Sequence, residues 1–399
     1  MLHGKGGPLA QLKNKGFRVP EFIIVSHEDF ISWGDAHLYS QLQNALSSND
    51  QGIIYSSAKA FVESVFIPDL QLDEDKLYAV RSSAQLEDSS DHSFAGIFQT
   101  KLFASSSFLA SPIKDVWLSL YEDKSYQYCQ AQNILWASLK MDVIVQEMIV
   151  GDKSGILFQS NPIGKPQEQV IVAGFGLCQG IVNEQADTDT YLINGHEVTE
   201  SHILEKTNFL NWKDGVISLE KIPHDKKTIS VLTHSEIEKL LTLSLKLKSH
   251  SKEPLDVEFT FKGNDLYILQ SRPISSESSV NTTRLNIKNI PEINGPLRGI
   301  PCSQGEVEAE CEVITTPQET SSLAGKILVS EKTDGAWEYF FEGISGIITE
   351  KGSMLSHAAI ISRELGIPCI VNVKDATHIL KSGMRVKMNG ATGEISFLT

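Results

Sequence analysis

The sequence predicts a multidomain protein of mixed α/β and α+β class. Its 399 residues are enough for two or three domains, each with a core of its own. Predicted strands and helices are interspersed along residues 1–274. A Ser/Thr/Asn-rich stretch with two prolines near its end, residues 275–296, then interrupts the pattern and is typical of a linker. In residues 297–399, short Val/Ile-rich strands alternate with glycine turns and at least one helix, which is an α/β pattern.

In the first part of the chain, apolar or alternating runs predict strands over residues 77–81, 143–148, 256–261 and 266–270. The last two runs are separated by a turn, Gly263-Asn264-Asp265, which is a strong signal for a β-hairpin. Leucines at helical spacing, after an acidic first turn, predict a helix over residues 234–247. This part is therefore predicted to mix strands with at least one helix.

In the last part, a strand predicted over residues 344–348 leads into a polar turn and then into a helix that starts near Ser356. His357 falls in the first turn of this helix. Unpaired backbone N–H groups and the positive end of the helix dipole favour a bound anion there, and they disfavour the imidazolium form of the ring. The position therefore suits a neutral, nucleophilic histidine that accepts a phosphoryl group. The alternative is a purely structural histidine, one of eleven in the chain.

Several segments of the first part carry residues that are suited to phosphate binding. Lys5 lies in a glycine-rich loop that leads into a helix, and Arg81 follows a predicted strand. Side chains alternate along a strand, so Asp256 and Glu258 share one face, with Gln270 and Arg272 on the partner strand. These groups can form a magnesium and phosphate site. The alternatives are a surface lysine, a surface arginine and an ion-pair ladder across the hairpin.

The sequence predicts a strand edge at residues 143–148, and the backbone of such an edge can bind an adenine ring. Lys351, in the turn before His357, is a candidate phosphate contact, and the alternative is a solvated surface lysine.

The composition excludes some classes of function. The formal net charge is −15, and an acidic chain gains little from releasing phosphate counterions, so nucleic acid is not expected as a partner. The five cysteines are widely spaced and odd in number, which disfavours a disulfide framework or a zinc site and fits a reducing compartment. No apolar run of signal-peptide length opens the chain, and none reaches the ~18 residues of a membrane span. We therefore expect a cytoplasmic protein with no membrane partner.

Two groups of motifs resemble one known family. The string SHAAIISRELGIPCIV at residues 356–371 resembles the phosphohistidine domain of the phosphoenolpyruvate synthase and pyruvate phosphate dikinase family, to which rifampicin phosphotransferase is related. The segments GKGGPLAQL, VRSSA, SFAG, VIVQEM, DVEF and LQSRPI occur in the order of that family's ATP-grasp domain. The resemblance implies an ATP-grasp domain over residues 1–274, a linker over residues 275–296 and a small swivelling β/β/α phosphohistidine domain over residues 297–399.

The resemblance also implies roles for individual residues. His357 is implied as the phosphoryl carrier. ATP and Mg²⁺ are implied as cofactors, with phosphates held by Lys5, Arg81, Thr100 and Arg272. The adenine edge is implied to face Gln146, Glu147 and Met148, and Mg²⁺ is implied to bind Glu258 and Gln270.

The reaction that the resemblance implies is an AMP-forming phosphotransfer. His357 attacks the β-phosphorus of ATP, AMP leaves, the terminal phosphate is lost to water or to inorganic phosphate, and phosphohistidine passes its phosphoryl group to an acceptor. The family's C-terminal pyruvate barrel has no counterpart in the 42 residues after His357. We therefore expect a small-molecule acceptor site on a separate substrate-binding subunit or in a crevice of this chain. The alternatives are a phosphocarrier that donates to a partner protein and a nucleotide-binding protein without turnover.

Overall fold

The structure is a computed structural model. It describes residues 4–48, 50–85, 97–131, 134–161, 166–183, 185–213, 215–274, 297–316, 323–333, 337, 341, 343–354 and 356–398. The predicted linker and the SFAG segment lie outside the described residues.

The described residues form ten α-helices: α1 Gly6–Asn14, α2 His27–Ser32, α3 Ala36–Leu46, α4 Gln51–Ser64, α5 Ala110–Leu118, α6 Asp123–Ala131, α7 Cys178–Val182, α8 His234–Lys248, α9 His357–Glu364 and α10 Ala376–Ile379. The helix predicted over residues 234–247 is confirmed as α8. No helix in this part of the chain combines the length and the apolar character that a membrane crossing requires.

The same residues form twenty strands. The first twelve are β1 Phe22–Val25, β2 Leu77–Ala84, β3 Thr100–Ser105, β4 Met141–Glu147, β5 Lys153–Phe158, β6 Glu168–Phe175, β7 Thr188–Asn194, β8 Glu197–His202, β9 Asn208–Lys213, β10 Val216–Lys221, β11 Leu255–Lys262 and β12 Asp265–Pro273. The remaining eight are β13 Leu297–Arg298, β14 Ile300–Ser303, β15 Glu306–Val313, β16 Ile327–Ser330, β17 Gly346–Thr349, β18 Cys369–Val371, β19 Arg385–Asn389 and β20 Glu394–Phe397.

The chain divides into two compact units, Met1–Ile156 with Leu245–Ser275 and Leu157–Ser244 with Ser276–Thr399. The predicted domain limits at residues 274 and 297 stay a prediction.

The first unit contains an antiparallel sheet with strand order β1-β4-β2-β3. Buried aromatic rings from three helices fill the adjacent core: the ring centroid of Trp117 lies 4.3 Å from that of Phe30 and 5.8 Å from that of Phe61. Helices α2, α3 and α4 begin where the sequence supplies capping side chains, which accept backbone N–H groups of the first turn, at Ser26, Asp35 and Asp50. This core supports the strands that carry Arg81 and Gln146.

The predicted hairpin is also in the first unit. β11 pairs antiparallel with β12, and Glu258 lies opposite Gln270 while Asp256 lies opposite Arg272. The turn uses Gly263, whose φ of 57° is in the left-handed region that favours glycine. The predicted hairpin is therefore confirmed, and β5 lies on the other side of β11.

In residues 157–244 of the second unit, β6, β7 and β8 form consecutive antiparallel pairs, and β9 with β10 forms a separate hairpin. A buried ion pair joins β7 to the segment between β8 and β9: Lys206 Nζ lies 2.7 Å from Asp189 Oδ1, and neither side chain is exposed. Asp189 also accepts the backbone N–H groups of Leu204 and Val231. Since a buried carboxylate requires such partners, this network ties the segments that follow β8 and β10 to β7.

The C-terminal segment forms an eight-stranded sheet with order β13-β20-β19-β15-β16-β17-β18-β14. Its middle strands, from β15 to β18, pair in parallel, and the outer pairs are antiparallel. β16 and β17 are buried along their whole length because α9 packs on one face and α10 on the other. The α/β pattern predicted after the linker is confirmed.

Candidate active site

Arg81 is held by oxygens from two strands that are distant in sequence. Its Nη1 donates to Gln146 Oε1 on β4 at 3.1 Å and to the carbonyl oxygen of Leu269 on β12 at 3.2 Å. Gln146 is buried, and its Nε2 donates to the same Leu269 carbonyl at 3.2 Å. Gln146 therefore has a fixed orientation that presents its oxygen to the guanidinium group.

The other terminal nitrogen of Arg81 contacts both residues of the central pair of the hairpin. Nη2 donates to Gln270 Oε1 and lies 3.6 Å from Glu258 Oε2. The Arg81 side chain is only 14% exposed. The structure thus brings together four of the predicted site residues, namely Arg81, Gln146, Glu258 and Gln270.

The neighbouring pair of the hairpin holds the second predicted arginine. Arg272 Nε donates to Asp256 Oδ2 at 2.6 Å, and the Arg272 side chain is 38% exposed. Burial raises the pKa of the Asp256 carboxyl, although the charge and hydrogen bond of Arg272 act in the opposite direction. Asp256 therefore fixes the orientation of a half-exposed guanidinium group.

The glycine-rich loop packs closely on β2. A side chain at Gly4 would place its Cβ 2.4 Å from the carbonyl oxygen of Ala84, and Gly6 donates its N–H to Ser83 Oγ at 3.0 Å. Lys5 Nζ lies 3.4 Å from Ser82 Oγ, one residue along the strand from Arg81. The glycines thus allow the loop to bring the lysine onto the strand that carries Arg81.

The remaining residues that were predicted to bind nucleotide lie beside β2 and at the end of β4. Thr100 is exposed and pairs with Arg81 across β2 and β3. Glu147 forms an ion pair with Lys76 at 3.0 Å. The half-buried Met148 donates its N–H to the carbonyl oxygen of Leu77 at 2.8 Å.

The interpretation of residues 143–148 as a strand edge was wrong. β4 lies inside the sheet, between β1 and β2, so neighbouring strands take its backbone hydrogen bonds on both sides. Glu147 donates its N–H to Glu21 O at 2.7 Å, which continues this pairing to the end of the strand. An adenine ring near this point has to use groups beyond the β4 ladder.

His357 is the first residue of α9, as predicted. The N-cap is Ser356, whose hydroxyl accepts the N–H of Ala359. Nδ1 of His357 lies 3.3 Å from Thr333 Oγ1, and the ring centroid lies 5.8 Å from that of Phe341. Thr333 follows β16, and α9 follows β17, so two adjacent parallel strands deliver the hydroxyl and the imidazole to the same edge of the sheet.

Two residues near His357 were missed by the sequence analysis. Thr333 has no motif around it, and its role follows only from the neighbouring strands. Arg363 lies within the quoted RELGIP string, which was a usable signal. Its Nη1 donates to the carbonyl oxygens of Cys302 at 3.1 Å and Met354 at 3.0 Å, so it ties α9 to the preceding turn and to β14.

Lys351 lies in the turn between β17 and α9. Its Nζ pairs with Glu331, and both side chains are about half exposed. Its N–H also donates to the Glu331 carbonyl oxygen at 2.9 Å, and the ion pair lowers the pKa of Glu331. The lysine thus links the loops that carry Thr333 and His357.

The oxygens of Glu258 and Gln270 fit a divalent metal ion. Carboxylate and amide oxygens are ligands that Mg²⁺ accepts, and here they converge on one nitrogen of a cation. Among the described residues there is no cluster of three or more His, Cys, Asp or Glu side chains suited to a metal. An ion held by Glu258 and Gln270 therefore has to complete its shell with phosphate oxygens and water, as Mg²⁺ does in many phosphoryl-transfer sites.

Comparisons with known proteins match both parts of the chain. Residues 1–289 match the family model for the pyruvate phosphate dikinase AMP/ATP-binding domain, and residues 323–393 match the model for the mobile domain of PEP-utilising enzymes.

Among curated proteins, the chain is similar to a probable phosphoenolpyruvate synthase of Archaeoglobus fulgidus, with 35% identity over 79% of this chain and 42% of that protein. It is 28% identical to a probable phosphoenolpyruvate synthase of Methanothermobacter thermautotrophicus, over 98% of this chain and 60% of the relative. It is also 28% identical to a phosphoenolpyruvate synthase of Aeropyrum pernix, over 99% of this chain and 56% of the relative. The chain thus spans about half the length of these relatives.

Proposed function

Because the chain belongs to the pyruvate phosphate dikinase AMP/ATP-binding family, we propose that it is an ATP-dependent, AMP-forming phosphotransferase that carries phosphate on His357. The observation that carries the proposal is the convergence of Arg81, Gln270 and Glu258, which places a guanidinium group beside two oxygen ligands. Phosphoryl transfer requires little more of a protein than positioning and charge neutralisation, and this cluster supplies both.

In the proposed first stage, the lone pair of His357 attacks the β-phosphorus of ATP. In the tautomer whose Nδ1–H donates a hydrogen bond to Thr333 Oγ1, the lone pair is on Nε2, which is then the nucleophile. The bond between the β-phosphorus and the bridging oxygen of AMP breaks, and AMP leaves with the electron pair. Loss of the terminal phosphate to water or to inorganic phosphate leaves phosphohistidine, and the N-terminus of α9 stabilises its negative charge.

We assign the nucleotide contacts to the residues around β2, β4 and the hairpin. Lys5, Arg81, Thr100 and Arg272 hold phosphates in this proposal. Gln146, Glu147 and Met148 lie at the adenine edge, which they contact through groups outside the hydrogen-bond ladder of β4. Glu258 and Gln270 would hold Mg²⁺, which would supply positive charge beside the phosphates.

In the second stage, phosphohistidine donates its phosphoryl group to a small molecule. The proposed acceptor site lies on a partner subunit or in a crevice of this chain, and the 297–399 domain swings on the 275–296 linker to reach it. We place this reaction in the cytoplasm, which fits the five buried cysteines.

Radiolabelled ATP tests the proposal. We expect label from β-³²P-ATP on the protein and its loss in His357→Ala. His378→Ala is the matched control, because His378 is an exposed histidine near the start of another helix of the same segment, α10, and its loss leaves labelling unchanged. Absence of label from wild-type protein would leave only nucleotide binding without turnover. A label that moves onto an added protein and onto no small molecule would identify a phosphocarrier.

A further inference from the structure

One terminal nitrogen of Arg81 contacts the same oxygens that are assigned to the metal ion. One nitrogen, Nη2, hydrogen-bonds to Gln270 Oε1 and lies 3.6 Å from Glu258 Oε2. These two residues face each other across the β-hairpin, so their spacing is fixed by the register of the strands. A divalent ion that binds both oxygens has to take the place of this nitrogen, because two cations repel each other strongly at such a distance.

We propose that Arg81 and a divalent metal ion bind the Glu258 and Gln270 oxygens in turn, so that the metal binds well only together with nucleotide. The inference rests on the proposed function, since it takes the nucleotide phosphate as the group that receives Arg81 when the metal displaces it.

The contacts of the other terminal nitrogen, Nη1, allow Arg81 to leave the metal ligands with only a small movement of its guanidinium group. Nη1 is bound to Gln146 Oε1 and to the Leu269 carbonyl oxygen, and neither of these is a proposed metal ligand. Gln146 is itself fixed by its hydrogen bond to Leu269. The guanidinium group thus has one set of partners that it keeps and one set that it gives up.

The exchange also keeps the carboxylate of Glu258 paired at all times. Its side chain is 20% exposed, and a carboxylate in such surroundings is costly without a cation. Arg81 supplies the positive charge before the metal arrives, and the metal supplies it afterwards. A nucleotide phosphate then compensates Arg81, which couples metal binding and nucleotide binding in both directions.

Manganese binding to the full-length protein tests the inference, with free Mn²⁺ measured by electron paramagnetic resonance. The nucleotide is α,β-methylene-ATP, because the bond that breaks in the proposed reaction joins the α- and β-phosphates. For wild-type protein we expect weak Mn²⁺ binding that the nucleotide strengthens about tenfold or more. For Arg81→Gln we expect Mn²⁺ alone to bind about tenfold more tightly than to wild type, with a smaller effect of nucleotide.

Lys5→Gln is the matched control, because it also removes one positive charge from this region. Lys5 contacts Ser82, which is not one of the proposed metal ligands. We expect it to weaken nucleotide binding and to leave the binding of Mn²⁺ alone unchanged. If both variants raise Mn²⁺ affinity equally, the effect is general electrostatics and the exchange is wrong.

Two further outcomes overturn the exchange. One is Arg81→Gln binding Mn²⁺ alone no more tightly than wild type does. The other needs no variant and so is independent of whether Arg81→Gln folds: wild-type protein that binds Mn²⁺ equally well with and without nucleotide. Labelling of His357 from β-³²P-ATP is scored separately, so the exchange can fail while the proposed phosphotransfer stands, and the reverse also holds.

Discussion

The hydroxyl of Thr333 lies 3.3 Å from Nδ1 of His357, although 24 positions separate the two residues. This contact orients the imidazole ring. A hydrogen bond of this kind contributes about 1 kcal/mol, which corresponds to roughly a fivefold change in rate. We expect Thr333→Val, which keeps the shape of the side chain, to lower the labelling rate of His357 by about that factor.

Thr333→Ser is the control for this prediction, because it keeps the hydroxyl and loses only a methyl group. We expect labelling close to the wild-type rate. Equal rates in the valine and serine variants would show that the hydroxyl has no part in the reaction.

Arg363 is expected to be important for the stability of the C-terminal segment. Arg363→Met removes the donor of two hydrogen bonds and leaves the carbonyl oxygens of Cys302 and Met354 without it. Hydrogen bonds to charged groups contribute about 1.5–3 kcal/mol each, so we expect a loss of roughly 3 kcal/mol in the free energy of unfolding. Urea denaturation followed by fluorescence measures this free energy, and an unchanged midpoint would contradict the stabilising role of Arg363.

The buried ion pair of Asp189 and Lys206 gives a second prediction about stability. Lys206→Met leaves a buried carboxylate without its cation, and we expect a loss of about 3–5 kcal/mol in the free energy of unfolding. The double variant Lys206→Met/Asp189→Asn should be less destabilised than the sum of the two single variants. As a control, Lys13→Met breaks the exposed pair with Glu21 and should change stability by about 0.5 kcal/mol or less. Strict additivity in the buried cycle would mean that the two charges do not interact.

Two buried thiols are expected to make the free energy of unfolding depend on pH in the alkaline range. Burial raises the pKa of Cys129 and of Cys311 from 9.0 to about 11. The folded protein therefore holds these protons more tightly than the unfolded chain does. Their contribution to stability is complete below pH 9 and is lost as the pH rises from about 9 to about 11.

We expect the urea midpoint of the wild-type protein to fall between pH 8 and pH 10. Cys129→Ala/Cys311→Ala should show a shallower fall over the same range, although its midpoint at pH 8 is lower because two buried side chains are truncated. Parallel pH profiles for the two proteins would show that other groups cause the loss.

The local parts of the site were predictable because they depend on neighbours in sequence. The hairpin follows from a turn between two short strand-like runs. The helix start at His357 follows from a capping serine and an apolar helical face. In both cases one short segment contains all of the information.

The long-range parts were not predictable from the sequence alone. Gln146 and Gln270 both contact Arg81, although they are 65 and 189 positions away from it. The sequence around each of these three residues does not indicate that they lie together. The place of β4 inside its sheet was missed for a similar reason. An apolar strand has the same pattern whether it is flanked by one neighbour or by two, and only the assembled sheet distinguishes the cases.

The ring contacts of His357 with Thr333 and Phe341 come from its own segment of the chain. Under the proposed reaction, the imidazole ring therefore has the same orientation toward the phosphoryl donor and toward the acceptor. Donor and acceptor must both approach the same nitrogen along the same line, and they cannot occupy that space together. The proposed reaction therefore predicts ping-pong kinetics, in which AMP departs before the acceptor binds.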